Sequence, residues 1–214
     1  MLQQLFSVFL QSHCAFCDRN TSKVFCSYCE TKLTSYHFKS QDCKISSPGS
    51  PVFAWGKYDG YLKRAIALMK YEQKPEIGNL LGKLLASAWL ESQIMKPLQK
   101  FSVVPIPLHS ERLKERGFNQ AQVIAQGFCQ MTGHKLSSQA LIRIRNTKAM
   151  FELNPGERAT NLQNAFQLGR QRPKYPVLLI DDIYTTGTTI QESIKVLEQN
   201  QVKVIGTLVV ATGR

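Results

Sequence analysis

The chain reads as an α/β protein: a mostly parallel sheet flanked by helices, preceded by a small cysteine-bearing module. Three observations predict this. Pro176–Ile180 and Lys203–Ala211 are almost continuously apolar, as strands covered on both faces of a parallel sheet are. Segments with apolar residues at helical spacing precede and separate them. Four of the six cysteines crowd between positions 14 and 29.

The bounds agree. A chain of 214 residues can build one α/β core and a small appendage. An apolar fraction of 43% excludes global disorder. No uninterrupted apolar run is long enough to predict a transmembrane span. The start, M-L-Q-Q-L-F-S-V-F-L, lacks a basic region and a small-residue cleavage site, so it reads as mature protein and the expected location is cytoplasmic. The formal net charge of +12 points to an anionic partner: nucleic acid, a phosphorylated metabolite or an anionic membrane surface. The basic residues are scattered and form no tail.

The module comes first. Cys14-A-F-Cys17 and Cys26-S-Y-Cys29 are two Cys-x-x-Cys knuckles separated by eight residues. Together they can offer four thiolates to one tetrahedral, structural Zn²⁺. So small a segment cannot stabilise itself by packing alone, and a metal cross-link supplies the remainder. A redox pair lacks its βαβ setting, and a disulfide framework does not suit the expected compartment. Cys43 is a candidate neighbouring sulfur, while Cys129 falls in an apolar helical pattern and reads as a buried small hydrophobe. His13 and His37 flank the module and read as packed or solvated rather than ligating. The aromatics Phe16, Phe25, Tyr28, Tyr36 and Phe38 read first as the module's own small core, with base stacking as the alternative. Residues 40–51 are polar and rich in breakers, which predicts a linker between a module at 1–45 and a larger domain at 52–214.

In the larger domain, helices are predicted over Leu62–Tyr71, Ile77–Gln93, Asn119–Met131 and Thr188–Asn200. Strands are predicted over Ser102–Pro107, Pro176–Ile180 and Lys203–Ala211, joined by right-handed crossovers. Ligands of such sheets sit beyond the carboxyl ends of the strands. Two loops there carry chemistry.

The first lies in V-L-L-I-D-D-I-Y-T-T-G-T-T, Val177–Thr189. Asp181 and Asp182 are expected at the end of a buried strand. Thr185, Thr186, Gly187, Thr188 and Thr189 then turn into a helix. Backbone N–H groups at a helix start and threonine hydroxyls suit a phosphate monoester, and glycine permits close approach. Two carboxylates can accept bonds from ribose hydroxyls, directly or through Mg²⁺. The string therefore predicts a site for a phosphorylated ribose. An ordinary N-cap explains one threonine but not the whole string, and a Walker A pattern is absent. The second loop is V-P-I-P-L-H-S-E-R-L-K-E-R-G-F-N-Q-A, residues 104–121, whose cations suit a pyrophosphate or a nucleic-acid backbone. An exposed basic helix is the plainer alternative.

These strings carry a resemblance. The first resembles the phosphoribosyl-pyrophosphate (PRPP) signature of type I phosphoribosyltransferases. By that resemblance Asp181 and Asp182 hold the ribose hydroxyls and Thr185–Thr189 the 5-phosphate. The whole chain is similar to the ComF family, in which a zinc-binding front precedes a type I phosphoribosyltransferase-like body. The matches are the paired knuckles, W-G-x-Y-x-G-x-L-K-R-x-I-x-x-x-K-Y at Trp55–Tyr71, P-x-P-x-H and R-G-F-N-Q in the second loop, and R-I-R-N-T, Leu153, Arg158 and N-x-x-N-A-F over 143–166.

The resemblance implies a pyrophosphate loop at Leu108 and His109 with Arg116 as a contact, Lys70 as a phosphate contact, a hood over 143–160, and Mg²⁺ entering with PRPP. One position departs from the pattern: Met150 stands where the family usually has glutamine. The resemblance further implies a ComFC-type competence protein that assists incoming single-stranded DNA during natural transformation, working with a partner helicase at the inner face of the membrane. The alternative is an active transferase passing ribose 5-phosphate from PRPP to an acceptor that the sequence does not name. A regulator responding to PRPP would need a helix-turn-helix signal, which is missing.

Overall fold

A computed structural model describes residues 12–39, 42–45, 47, 49–92, 100–145 and 164–213. Helix α1 (Ser27–Thr34) starts one residue after Cys26. Then follow β1 (Lys44–Ile45), β2 (Val52–Lys57), α2 (Gly60–Tyr71), α3 (Pro75–Glu91), β3 (Ser102–Pro105), α4 (Ser110–Arg116), α5 (Gln120–Thr132), β4 (Lys135–Leu136), β5 (Leu141–Arg143), β6 (Phe166–Leu168), β7 (Val177–Tyr184), α6 (Thr188–Gln199) and β8 (Val204–Thr212). No helix among the described residues is long and apolar enough to cross a membrane.

The main sheet has the order β1-β2-β8-β7-β3-β4, with every pair parallel except β1–β2. Alternation along the strands divides the core into two layers. Phe53, Val103, Leu178, Ile180, Leu208 and Val210 face α2, α3 and α5. Val52, Val104, Val177, Leu179 and Val209 face α6 and the small β5–β6 hairpin. Helices α3 and α5 approach closely because Gly82 and Gly127 lack a Cβ. A Cβ on Gly82 would come within 2.0 Å of the Ile124 carbonyl oxygen, and one on Gly127 within 2.1 Å of that of Asn79.

The topology places the site. The chain leaves β3 toward β4 at one edge and leaves β7 toward β8 in the opposite direction. Because β3 and β7 are neighbours, a crevice opens between their carboxyl ends.

Two elements differ from the sequence reading. β7 runs on past Ile180 to Tyr184, because β8 continues to pair with it at Asp181↔Val209, Ile183↔Ala211 and Tyr184↔Thr212. The two acids therefore sit inside the strand and are buried. The stretch read as a linker is pinned at several points: Lys44–Ile45 pairs with β2, Cys43 and Ser50 are buried, and Ser47 accepts a 3.1 Å bond from the Tyr184 hydroxyl. Thr147, Met150, Leu153 and Arg158 of the expected hood lie outside the described residues. The ends of that segment meet in the β5–β6 hairpin, where Arg143 pairs with Phe166.

Candidate functional site

A cleft of about 320 Å³ opens where β3 and β7 end. Its lining includes Leu108, Arg112, Arg116, Arg143, Lys70, Asp181, Asp182, Thr185 and Thr189. Five elements converge there, each for a local reason.

β7 delivers the acids. Strand alternation puts Asp182 on the face shared with Leu178 and Ile180, against α2. Lys70, in the last turn of α2, forms an ion pair through its Nζ with Asp182 Oδ2. Asp181 faces the other layer, and its Oδ1 accepts a 2.8 Å bond from the backbone N–H of Asp182.

These contacts separate the two carboxyls. Burial pushes the Asp181 carboxyl well above the ordinary range, and the neighbouring Asp182 charge adds to this. Burial acts the same way on Asp182, but the Lys70 ammonium outweighs it and holds that carboxyl low. Lys70 is likewise pushed down by burial and raised overall by Asp182. The pair thus has one carboxylate firmly ionised and one that resists ionisation.

The Thr-Gly turn follows. Gly187 has φ 82 and precedes the first residue of α6. A side chain there would be strained, and its Cβ would lie 2.6 Å from the Tyr184 hydroxyl oxygen. The Thr186 and Thr188 hydroxyls are 2.9 Å apart and bonded to each other, while Thr185 and Thr189 line the cleft.

Four of the five residues of R-G-F-N-Q have a defined structural task. Arg116 lines the cleft and donates a 2.6 Å bond to Gln120 Oε1, which orients the guanidinium. Gly117, at φ 80, ends α4 in the left-handed conformation. Asn119 donates 3.0 Å to the Ile106 carbonyl, clamping the end of β3, and caps α5 by accepting from the Ala121 N–H. His109 caps α4 through Nδ1 and is not among the residues lining the cleft.

Two further cations reach the cleft. Arg112, one of the second-loop cations expected to suit a pyrophosphate, is one turn before Arg116 on α4. Arg143 arrives from the β5–β6 hairpin, which no local periodicity announces. Burial and then the Arg112 charge lower the Arg143 guanidinium, with Asp181 acting in the opposite sense. The cleft therefore holds four cations, Lys70, Arg112, Arg116 and Arg143, against two acids.

A metal chelated by both carboxylates would meet an ammonium group already paired with one of them. Asp182 Oδ2 is taken by the Lys70 ammonium and Asp181 Oδ1 by a backbone N–H.

The second cluster does fit a metal. The Sγ atoms of Cys14, Cys17, Cys26 and Cys29 lie within 4.8 Å of one another, and those of Cys17 and Cys26 are 3.6 Å apart. Tetrahedral zinc–sulfur geometry separates sulfurs by about 3.8 Å. Burial opposes ionisation of Cys14, but the backbone N–H groups of Cys26, Phe16 and Cys17 outweigh it and bring the thiol down to about 6. Cys29 is pushed up by burial and by its neighbouring thiols.

Cys43 stands apart from the four, its thiol donating to the Lys39 carbonyl at 3.5 Å. Cys129 is half-buried against the core. His13 contacts the Asp18 carbonyl and His37 stacks on Trp55. Phe16 and Phe25 are buried and stacked at 4.1 Å, as a small core requires. Tyr28 is exposed, with Arg19 and Lys32 each 5.6 Å from its ring.

No protein-family model matches the chain. Among curated proteins it is 29% identical over 191 residues to DNA utilization protein YhgH of Escherichia coli (strain K12), covering 87% of this chain and 84% of that protein. It is 30% identical over 199 residues to Competence protein ComFC of Streptococcus pneumoniae, covering 91% of this chain and 84% of that one. Among solved structures it is similar to adenine phosphoribosyltransferase from Leishmania tarentolae, with a TM-score of 0.39 and 10% identity over 79% of this chain and 94% of that one. Zinc-type knuckles at the front, the acid pair with its Thr-Gly turn, and similarity to ComFC over nearly the full length place the chain in the ComF family.

Proposed function

We propose that the cleft binds PRPP, and that the protein assists single-stranded DNA during natural transformation. One observation carries the ligand reading: a hydroxyl-rich turn at the start of α6, a buried acid pair and three arginines converge on one cleft. The turn suits the 5-phosphate. The acids suit the ribose hydroxyls. Arg112, Arg116 and Arg143 suit the diphosphate, which guanidinium groups can grip bidentately. Isothermal titration with PRPP and with ribose 5-phosphate tests this, and absence of heat with both would overturn it.

The biological reading rests on the names of the relatives, which are a competence protein and a DNA utilization protein. The charge of +12 supports contact with a phosphate backbone. The site at 52–214 and a zinc-bearing module at 1–45 then serve a protein acting on single-stranded DNA beside a partner helicase at the inner face of the membrane. A deletion strain complemented with Asp181→Ala/Asp182→Ala decides whether the cleft matters: full transformation would separate the cleft from DNA uptake. Binding to single-stranded DNA should weaken as salt rises, and a flat salt response would remove the electrostatic basis.

A second reading, transfer of ribose 5-phosphate to an acceptor, is favoured by the three arginines facing the acid pair. They are placed to stabilise a departing pyrophosphate while the acids stabilise positive charge on the ribose. Release of pyrophosphate from PRPP on addition of candidate acceptors tests it.

A further inference from the structure

We propose that Lys70 is the permanent counter-cation of the acid pair, so that a ribose phosphate binds in this cleft without a divalent cation held between Asp181 and Asp182. The inference rests on the ribose-phosphate reading of the cleft and goes beyond it in assigning how the charge is balanced.

Two adjacent buried carboxylates repel each other and call for a cation. Many such pairs take a metal ion, because Mg²⁺ and its relatives bind through carboxylate oxygens. Here the cation comes from the chain itself. Lys70 descends from the last turn of α2, its side chain only 16% exposed, and meets Asp182, whose side chain is 7% exposed. Neither group can be solvated independently, so each depends on the other for its charge. Asp181 Oδ1 is already occupied by the Asp182 N–H at 2.8 Å. A divalent ion chelated by the pair would have to sit beside the Lys70 ammonium and among Arg112, Arg116 and Arg143, against the repulsion of all four.

The charge balance of the whole cleft points the same way. Four cations face two acids before any ligand enters, a surplus that suits a phosphate-rich ligand. The arginines can then neutralise the diphosphate, and Lys70 can neutralise the acids that grip the ribose. Both tasks that a bridging metal would perform are assigned to side chains.

The experiment has two arms, both on zinc-loaded protein. In the first, PRPP affinity is measured by calorimetry in chelator-free buffer cleared of divalent cations by a chelating resin before the protein is added, and in the same buffer with millimolar MgCl₂. The wild-type dissociation constants should agree within about 3-fold. Lys70→Met strips a buried charge of its partner and should weaken binding about 100-fold in the Mg²⁺-free buffer, with Mg²⁺ restoring most of the loss. In the second arm no sugar is present, and Mn²⁺ alone is titrated and followed by electron paramagnetic resonance. Wild type should show no Mn²⁺ site that Asp182→Asn removes, whereas Lys70→Met should gain one.

The proposal is overturned if wild type fails to bind PRPP in the Mg²⁺-free buffer while binding it in MgCl₂, or if wild type holds Mn²⁺ at a site lost in Asp182→Asn. Both of these measurements are independent of whether Lys70→Met folds. If neither PRPP nor ribose 5-phosphate binds under any condition, the ligand reading fails, and the Mn²⁺ arm still decides the role of Lys70.

Discussion

The cysteine module and the cleft pose one electrostatic problem and solve it differently. Each gathers acidic groups of like charge into a poorly solvated place. In the module, four sulfurs converge within 4.8 Å of one another, and their geometry matches an ion from outside. In the cleft, two buried carboxyls converge and Lys70 supplies the cation from within. The difference teaches what each place is for. A closed set of four sulfurs leaves no open position and serves structure. An acid pair balanced internally keeps its remaining oxygens available for hydroxyl groups.

Removing a sulfur should have the largest effect. Cys29 is buried and belongs to the same apolar cluster as Phe16, Phe25 and Leu33. Cys29→Ser should lose the bound metal and cost several kcal/mol of stability, read by metal analysis and thermal melting. Retention of full metal content would break the comparison on the module's side.

On the cleft's side the largest effect should come from Asp182→Asn, which leaves the Lys70 ammonium buried without its partner. Loss of one member of a buried pair costs about 3–5 kcal/mol, measurable by urea denaturation. Lys70→Met/Asp182→Asn together should cost less than the sum of the two single changes, and strict additivity would show that the pair is not a pair.

Gly187→Ala should cost about 1–3 kcal/mol, because it forces a side chain to φ 82 and into the Tyr184 hydroxyl. It should also weaken ribose 5-phosphate binding, seen by calorimetry.

The smallest effect concerns pH. The folded-state pKa of Asp181 lies above its unfolded value, so its stabilising contribution is complete below the unfolded pKa and declines as pH rises through the folded one. Asp181→Asn should remove that decline, flattening the melting temperature as pH rises from about 4 toward neutrality. An unchanged slope would show that Asp181 ionises without penalty.

Local patterns made part of this molecule legible. The apolar run before Asp181 announced the central strand, T-T-G-T-T announced the turn, and Cys-x-x-Cys spacing announced the sulfur cluster. What stayed hidden depends on contacts between distant residues. β5 and β6 have three residues each and no period of their own, so only the family resemblance, and no local pattern, brought the segment beginning at Arg143 to the site. The extension of β7 through the acids is imposed by β8 and not by its own polar residues. Lys70 was expected as a phosphate contact, but its pairing with Asp182 was not legible, because the two lie on elements far apart in sequence. The module's dependence on the body was hidden too. Cys14, Phe16 and Phe25 share one apolar cluster with Leu62, Ala65 and Ile66 of α2.

That last contact gives α2 a mechanical role. Arg64 donates a 2.8 Å bond to the Phe16 carbonyl, beside the first knuckle. Lys70, six residues further along the same helix, meets Asp182. At the rise of an α-helix the two points are about 9 Å apart along one stiff rod. A disturbance of the knuckle is then transmitted to the floor of the cleft without any loop in between. Stripping the module with a chelator is accordingly expected to loosen ribose 5-phosphate binding as well as melt the front of the chain. Calorimetry before and after zinc is restored would show whether the rod transmits.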